Sequence, residues 1–225
     1  KEARERVRAA LAQSGLAFPA NKRITVNLAP AELPKDSGRF DLPIALGILA
    51  ADGQIDAAAL AQYEFAGELS LAGELRPVRG ALALALALGH EGSTRTLVLP
   101  ESSAREAALA EQVPVLVARL LLRVVPALPP RDAAVALPRA HPSPASSVAA
   151  PALFDMADVR GQTGAKRALE IAAAGGHSVL MIGPPAAGKS MLAQRLPGLL
   201  TPMNQHEALA SAALLAPIGL RWPWP

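Results

Sequence analysis

The sequence predicts an α/β protein built as two units in series, and three observations carry that expectation. Strand-like and helix-like segments alternate through residues 1–125. A proline-rich stretch, Pro126–Ala152, then interrupts them. Beyond it an apolar run, a glycine-rich turn and a helix-forming segment follow in direct succession over 177–196. Alternation of the first kind packs helices onto a sheet, and the last succession is the local signature of a phosphate-binding loop.

Each element has its own signal. KEARERVRAAL is helical from Lys1: Val7, Ala10 and Leu11 share a face, Glu2 and Arg6 are spaced i,i+4, and Gly15 stands where a helix stops. No Ser, Thr, Asp or Asn caps its first turn, so the sequence reads as starting inside a domain. RITVNLA (Arg23–Ala29) alternates β-branched and polar residues and is expected as a strand. Asp41–Ala51 is expected as a helix, with Pro43 early enough to be tolerated. EFAGELSLAGELRPV reads as two short strands around Ala72-Gly73. Ala81–Leu88, ALALALAL, alternates like a strand but holds strong helix formers with no β-branching, and helix is the expectation. Thr96–Pro100 follows as a strand, Glu101–Glu111 as a helix and Val113–Val117 as a strand. Hairpin and helix signals are mixed here, which makes the first unit α+β in content.

Pro126–Ala152 has little periodicity and few bulky apolar residues, and reads as a semi-rigid linker. After it, Thr163–Ala174 is a helix with Ala168, Leu169, Ile171 and Ala172 on its apolar side, stopped at Gly175-Gly176. HSVLMIG is expected as a short buried strand, and a helix runs from Lys189 to Leu196.

Composition narrows the function classes. Apolar residues make up 51% of the 225 and charged residues 18%, enough for a hydrophobic core built from Ala, Leu, Val and Ile, since aromatics are only 3%. The absence of cysteine excludes disulfides and thiolate metal sites. The formal net charge of +3 comes from basic residues spread along the chain, which permits nucleic-acid contact without arguing for it. No basic stripe interleaved with aromatics marks a DNA site, and His141 and His177 stand alone. No apolar run reaches the ~20 residues of a membrane span, and the start lacks a signal-peptide core. The chain reads as soluble and cytoplasmic.

Gly183-Pro184-Pro185-Ala186-Ala187-Gly188-Lys189-Ser190 satisfies G-x-x-x-x-G-K-[ST] without mismatch, between an expected strand and an expected helix. Backbone N–H groups of such a loop wrap the phosphates of ATP, the helix start faces the anion, Lys189 supplies an ammonium, and the Ser190 hydroxyl is a ligand for Mg²⁺. Met191 completes the binding segment. Ala186 is a strain point wherever that position requires positive φ. Hydrolysis also needs an acidic residue at the end of a neighbouring strand, but Glu207 is the one carboxylate after Ser190 and lies in a helical pattern. No catalytic residue and no arginine finger is assigned.

The stretches RERVRAAL, RITVNLAPAELPKDSGRFDLPIALGILAADGQI, YEFAGELSLAGELRPVRG, DVRGQTGAKRALEIAAAGGHSVLMIGPP, GKSMLAQRLPGLL and EALASAALL, in this order, resemble the YifB/ComM family of magnesium-chelatase-like AAA+ ATPases up to Leu215. The resemblance implies a Lon-protease-like domain of the ribosomal-protein-S5 superfamily over residues 1–125, and the start of a P-loop AAA+ domain over 153–215. It implies ATP and Mg²⁺ as ligands, a homo-hexamer, and work on DNA as a helicase driving branch migration in natural transformation. Val159 and Gly161, in DVRGQ, fall where such proteins meet the adenine. The family's peptidase relatives pair a serine with a lysine, but those places fall near Asp41 and Leu82. Ser37 and Lys35 lie on the wrong part of the loop, and Asp41 is expected to cap the following helix. The first strands of the family are missing, and residues 216–225, with both tryptophans in the last four positions, read as an aberrant tail. Two other readings stay open: a non-catalytic ATP-binding or interaction module, and a subunit like those of magnesium chelatase.

Overall fold

A computed structural model describes residues 2–28, 38–128, 136–142 and 154–215. Ser37, Lys35 and the tail 216–225 lie outside the described residues, as do Lys1 and Ala29. The described residues divide into two compact units, one holding those up to 142 together with 209–215, the other those from 154 to 208.

In the first unit, helix α1 (Glu2–Gln13) buries Val7, Ala10 and Leu11, and the chain leaves it through Gly15 at φ +69°. Helix α2 (Asp41–Ala51) is apolar on every side after its first residue, and is buried accordingly at Leu42, Ala45, Leu46, Ile48 and Leu49. A short helix α3 (Ala57–Leu60) is capped by Asp56, whose carboxylate accepts from the Ala58 N–H at 2.9 Å.

Strand β1 (Tyr63–Phe65) leads into the hairpin β2 (Glu68–Leu69) and β3 (Leu75–Arg76), which pair antiparallel as the Ala72-Gly73 signal predicted. The turn needs its glycine twice over. Gly73 has φ +83°, and a Cβ there would lie 2.5 Å from Ser14 Oγ. Helix α4 (Ala81–His90) settles the ALALALAL question: Ala81, Leu82, Ala85 and Leu88 are buried, a helical spacing that a strand would split between faces.

Strand β4 (Thr96–Pro100), helix α5 (Glu101–Ala107) and strand β5 (Val115–Ala118) follow, then helix α6 (Leu121–Val124). α5 ends four residues short of the expected Glu111 and gives way to turns. The sheet is parallel, in the order β1-β4-β5, with Val98 opposite both Phe65 and Leu116. Alternate β4 residues feed different cores. Val98 joins a cluster with α1 and α2, whereas Leu97 and Leu99 join one with α4 and α5. The sheet is thus covered on both faces, which is why β4 is an unbroken apolar run.

Three expectations fail in this unit. Arg23–Leu28, the described part of the expected Arg23–Ala29 strand, is not in a strand, and Ile24 and Val26 are exposed. Alternation marks which face seeks burial, and a strand still needs a neighbour to bond to. Pro126–Ala152 is not linker throughout. Residues 138–140 lie along the edge of β5, where Val117 N–H donates to Pro138 O and Ala140 N–H to Val115 O, each at 2.8 Å. Proline is tolerated here as the first residue of a short edge segment, where its carbonyl accepts the Val117 N–H and one ladder donor is forgone. Asp41 does not cap α2 either. Phe40 occupies the cap position, and the Asp41 side chain is 1% exposed and turned to other partners.

In the second unit, helix α7 (Thr163–Gly175) ends at Gly176, φ +63°. Leu169 and Ala172 are buried, but Ala168 and Ile171 are exposed, so the apolar side is narrower than expected. Residues 177–184 make no ladder among the described residues, and Leu180 and Ile182 are 84% and 87% exposed. The expected buried strand is neither paired nor buried. Helix α8 (Lys189–Ala193) is three residues shorter than expected and passes into a 3-10 turn, Leu196–Leu199, that admits Pro197. Helix α9 (Gln205–Leu215), whose residues from 209 on belong to the first unit, begins with a reciprocal cap. Asn204 Oδ1 accepts from Glu207 N–H, and Glu207 Oε2 accepts from Asn204 N–H, both at 2.9 Å.

Candidate functional site

The glycine-rich segment forms a turn from Gly183 to Gly188 that delivers the chain into α8. Gly188, at φ +82°, holds a conformation in which a side chain is strained. A Cβ there would lie 3.1 Å from Gln162 Nε2 and 3.3 Å from Met191 Cε. Ala186 takes φ +65°, the conformation in which an alanine is strained, and is exposed. An alanine in that region costs about 1–2 kcal/mol relative to a right-handed conformation.

Lys189 opens α8 with its side chain folded back across the turn. Its Nζ donates to Gly183 O and Pro184 O, both at 2.8 Å, so the ammonium is held inside the curve of the loop. Ser190 is exposed beside it, and the loop residues Pro184, Pro185 and Ala187 complete the curve. The first N–H groups of α8 have no acceptor within the helix, and a phosphate is a natural partner for groups so placed.

Two residues that sequence reasoning missed hold this loop. Gln162, at φ +53°, donates from Nε2 to Ala187 O at 3.1 Å, tying the start of α7 to the loop. Arg195 is the second. Its Nε donates to Asp155 O and its Nη1 to Met191 O, each at 2.9 Å, and its guanidinium lies 5.2 Å from the centre of the Phe154 ring. It thereby fastens residues 154–158 to α8. Gln162 stands in the DVRGQ stretch, but only the fold brings it to Ala187; Arg195 carries no motif.

Val159 and Gly161 are placed differently from one another. Val159 is 3% exposed, in a small core with Met156, Leu169 and Leu192, whereas Gly161 is exposed at φ +68°. The side chain of Val159 therefore serves the core. Glu207 is exposed and engaged in the cap of α9, as expected of a solvated helix residue. Among the described residues no group of His, Asp and Glu is arranged to hold a metal ion, and no helix is long and apolar enough to cross a membrane.

Asp41 and Leu82, which the resemblance sets against a peptidase serine and lysine, have other surroundings. Asp41 accepts from Arg6 Nε at 2.7 Å and Nη2 at 3.2 Å, and from the Leu69 N–H at 3.3 Å. The carboxylate raises the Arg6 guanidinium pKa further above its ordinary value. Leu82 is buried in the other apolar cluster.

Comparison with known proteins decides the family. Two family models match, "Subunit ChlI of Mg-chelatase" over residues 1–103 and "Magnesium chelatase, subunit ChlI" over residues 155–220. Competence protein ComM of Haemophilus influenzae is 47% identical over 95% of this chain, and the matched region is 42% of that protein. YifB of Salmonella typhimurium is 48% identical over 96% of the chain and 41% of its own length, and YifB of Escherichia coli 45% over 96% and 41%. The chain belongs to the magnesium-chelatase-like YifB/ComM family. It spans about two fifths of the length of these YifB/ComM relatives.

Proposed function

We propose that this chain is part of an ATP-driven AAA+ motor of the YifB/ComM type, a homo-hexamer that works on DNA as a branch-migration helicase. The observation that carries the reading is Lys189, held inside a glycine-turned loop at the start of a helix. Gly183 to Ser190 would receive the β- and γ-phosphates of ATP, with Lys189 against their oxygens. The residues fit Mg²⁺ as well. That ion binds one or two protein oxygens and otherwise takes phosphate and water, and the exposed Ser190 hydroxyl is an oxygen of this kind. Bound there, Mg²⁺ would neutralise phosphate charge. Val159 and Gly161 belong, by family resemblance, near the adenine, with the backbone rather than the Val159 side chain making the contact. The first unit is read as a Lon-protease-like domain without peptidase chemistry, on the strength of Asp41 being locked in an ion pair.

A second reading, ATP binding without turnover, is favoured for the chain taken by itself. Its one carboxylate beyond Ser190 is Glu207, and that group closes the cap of α9. Competence is a role stated for the Haemophilus relative, and natural transformation is proposed here on that ground. Fluorescent ATP binding tests the site. Lys189→Ala should abolish saturable binding, and Ser190→Ala should remove its Mg²⁺ dependence. Unchanged binding in Lys189→Ala would refute the assignment.

A further inference from the structure

The first unit holds a second concavity that the nucleotide loop does not use. It has a volume of about 750 Å³ and lies where α5, the end of β5 and the edge segment 136–142 meet. Its charged lining is Glu101, Arg105, Arg119, Arg123 and Arg139, with the His141 imidazole beside them. Four guanidinium groups face one carboxylate, a surplus as large as the formal net charge of the entire chain, +3. The groove is thus a local concentration of positive charge on a chain whose basic residues are otherwise dispersed.

The carboxylate is already engaged. Glu101 pairs with Arg105 at 3.0 Å and with Arg119 at 2.7 Å, and Arg119 holds its pKa below the ordinary 4.5. Arg123 and Arg139 are exposed, and among the described residues neither has a carboxylate partner. Backbone pairing fixes the wall that carries Arg139. Leu116 and Arg139 form a bridge, and the Val117 and Ala140 N–H groups bond across on either side. The site is thus shaped by the fold rather than by loose surface side chains.

We propose that this groove binds the sugar–phosphate backbone of DNA. The chemistry favours phosphate: the cations are all arginine, whose planar fork matches phosphate oxygens two at a time. Apart from the His141 imidazole, the lining has no aromatic side chain to stack a base. Binding is therefore carried by phosphates, independent of sequence and steeply dependent on salt. The choice of a nucleic acid over an acidic peptide rests on the proposed reading of the family as working on DNA.

The test is fluorescence anisotropy of the full chain with a labelled 20-base-pair duplex and its single strand, across a salt series. Binding is expected, and Arg123→Ala/Arg139→Ala should flatten the logarithmic salt slope on duplex by about 2, one for each phosphate no longer neutralised. Arg123→Glu/Arg139→Glu should weaken binding at least about tenfold, the cost expected where attraction to phosphate turns into repulsion. Glu101→Gln, by freeing Arg105 and Arg119, should tighten it. Arg167→Glu, in the other unit, should change nothing. Circular dichroism of each variant should match the parent. Equal affinity in parent and double variants would overturn the proposal, as would binding of poly-glutamate but not of DNA. ATP binding measured on the same samples separates the two readings: the groove assignment can fail while the Lys189 site stands, and the reverse.

Discussion

Gln162 and Ala186 both hold backbone conformations that side chains disfavour, and both lie at the phosphate loop. Two such residues at one loop are consistent with strain retained for function. They make different predictions. Ala186→Gly should relieve the positive φ and raise stability by about 0.5–1 kcal/mol, the left-handed cost less the extra chain entropy of glycine. A thermal melt of the second unit reads this, and a lowered midpoint would count against it. Gln162→Ala should instead weaken ATP binding about fivefold, since one hydrogen bond contributes about 1 kcal/mol. The Ala186 strain was legible in the sequence because GPPAAGKS puts alanine where the loop calls for glycine. Gln162 was not, because its role depends on Ala187, 25 positions away.

Among the elements, α1 and α2 are joined by the Arg6–Asp41 pair, and its burial is lopsided. The Asp41 side chain is 1% exposed and that of Arg6 24%. Removing arginine strands a buried carboxylate, whereas removing aspartate leaves a guanidinium that water reaches. Arg6→Ala should therefore cost about 3–5 kcal/mol in denaturant unfolding, and Asp41→Ala distinctly less. Equal costs would mean that the pair is not held as described. Helix α5 is tied at its start to Arg119 through Glu101, whose pKa is lowered by that hydrogen bond. A depressed carboxylate adds stability that is present above its unfolded value, near 4.5, and lost as pH falls through the lowered one. Glu101→Gln should lower the melting midpoint at neutral pH, where that contribution is present, and flatten the fall on acidification, so that parent and variant converge at the acid end.

Legibility at this scale followed the source of each element's stability. α2, α4 and the hairpin were readable because composition, helical spacing and a turn glycine are local. Of the strands expected at Arg23–Ala29 and 177–183, the described residues form no ladder, because alternation and apolarity state a demand for burial that only a partner strand can meet. The edge segment 138–140 was hidden in the proline-rich stretch for the converse reason: the bonds that place it run to β5, distant in sequence.

At the level of the whole molecule, the two units carry different kinds of information. The first has a sheet covered on both faces and two apolar clusters, whereas the second has a small core of four buried residues, Met156, Val159, Leu169 and Leu192. Leu180 and Ile182 leave the second unit little to lose, and Ile182→Ser should change this chain's melting by no more than about 0.5 kcal/mol, as for other exposed positions. The proposed nucleotide site could be read from the sequence because its residues are contiguous. The arginine groove was not, because Arg105, Arg119, Arg123 and Arg139 are brought together only by α5, β5 and the edge segment. Whether Lys189 holds nucleotide is decided by calorimetric titration of ATP–Mg²⁺ into the full chain and into Lys189→Ala, with phosphate release followed in the same samples. Saturable binding by the parent, none by the variant, and no sustained phosphate release from either are expected; equal binding by both would contradict the assignment.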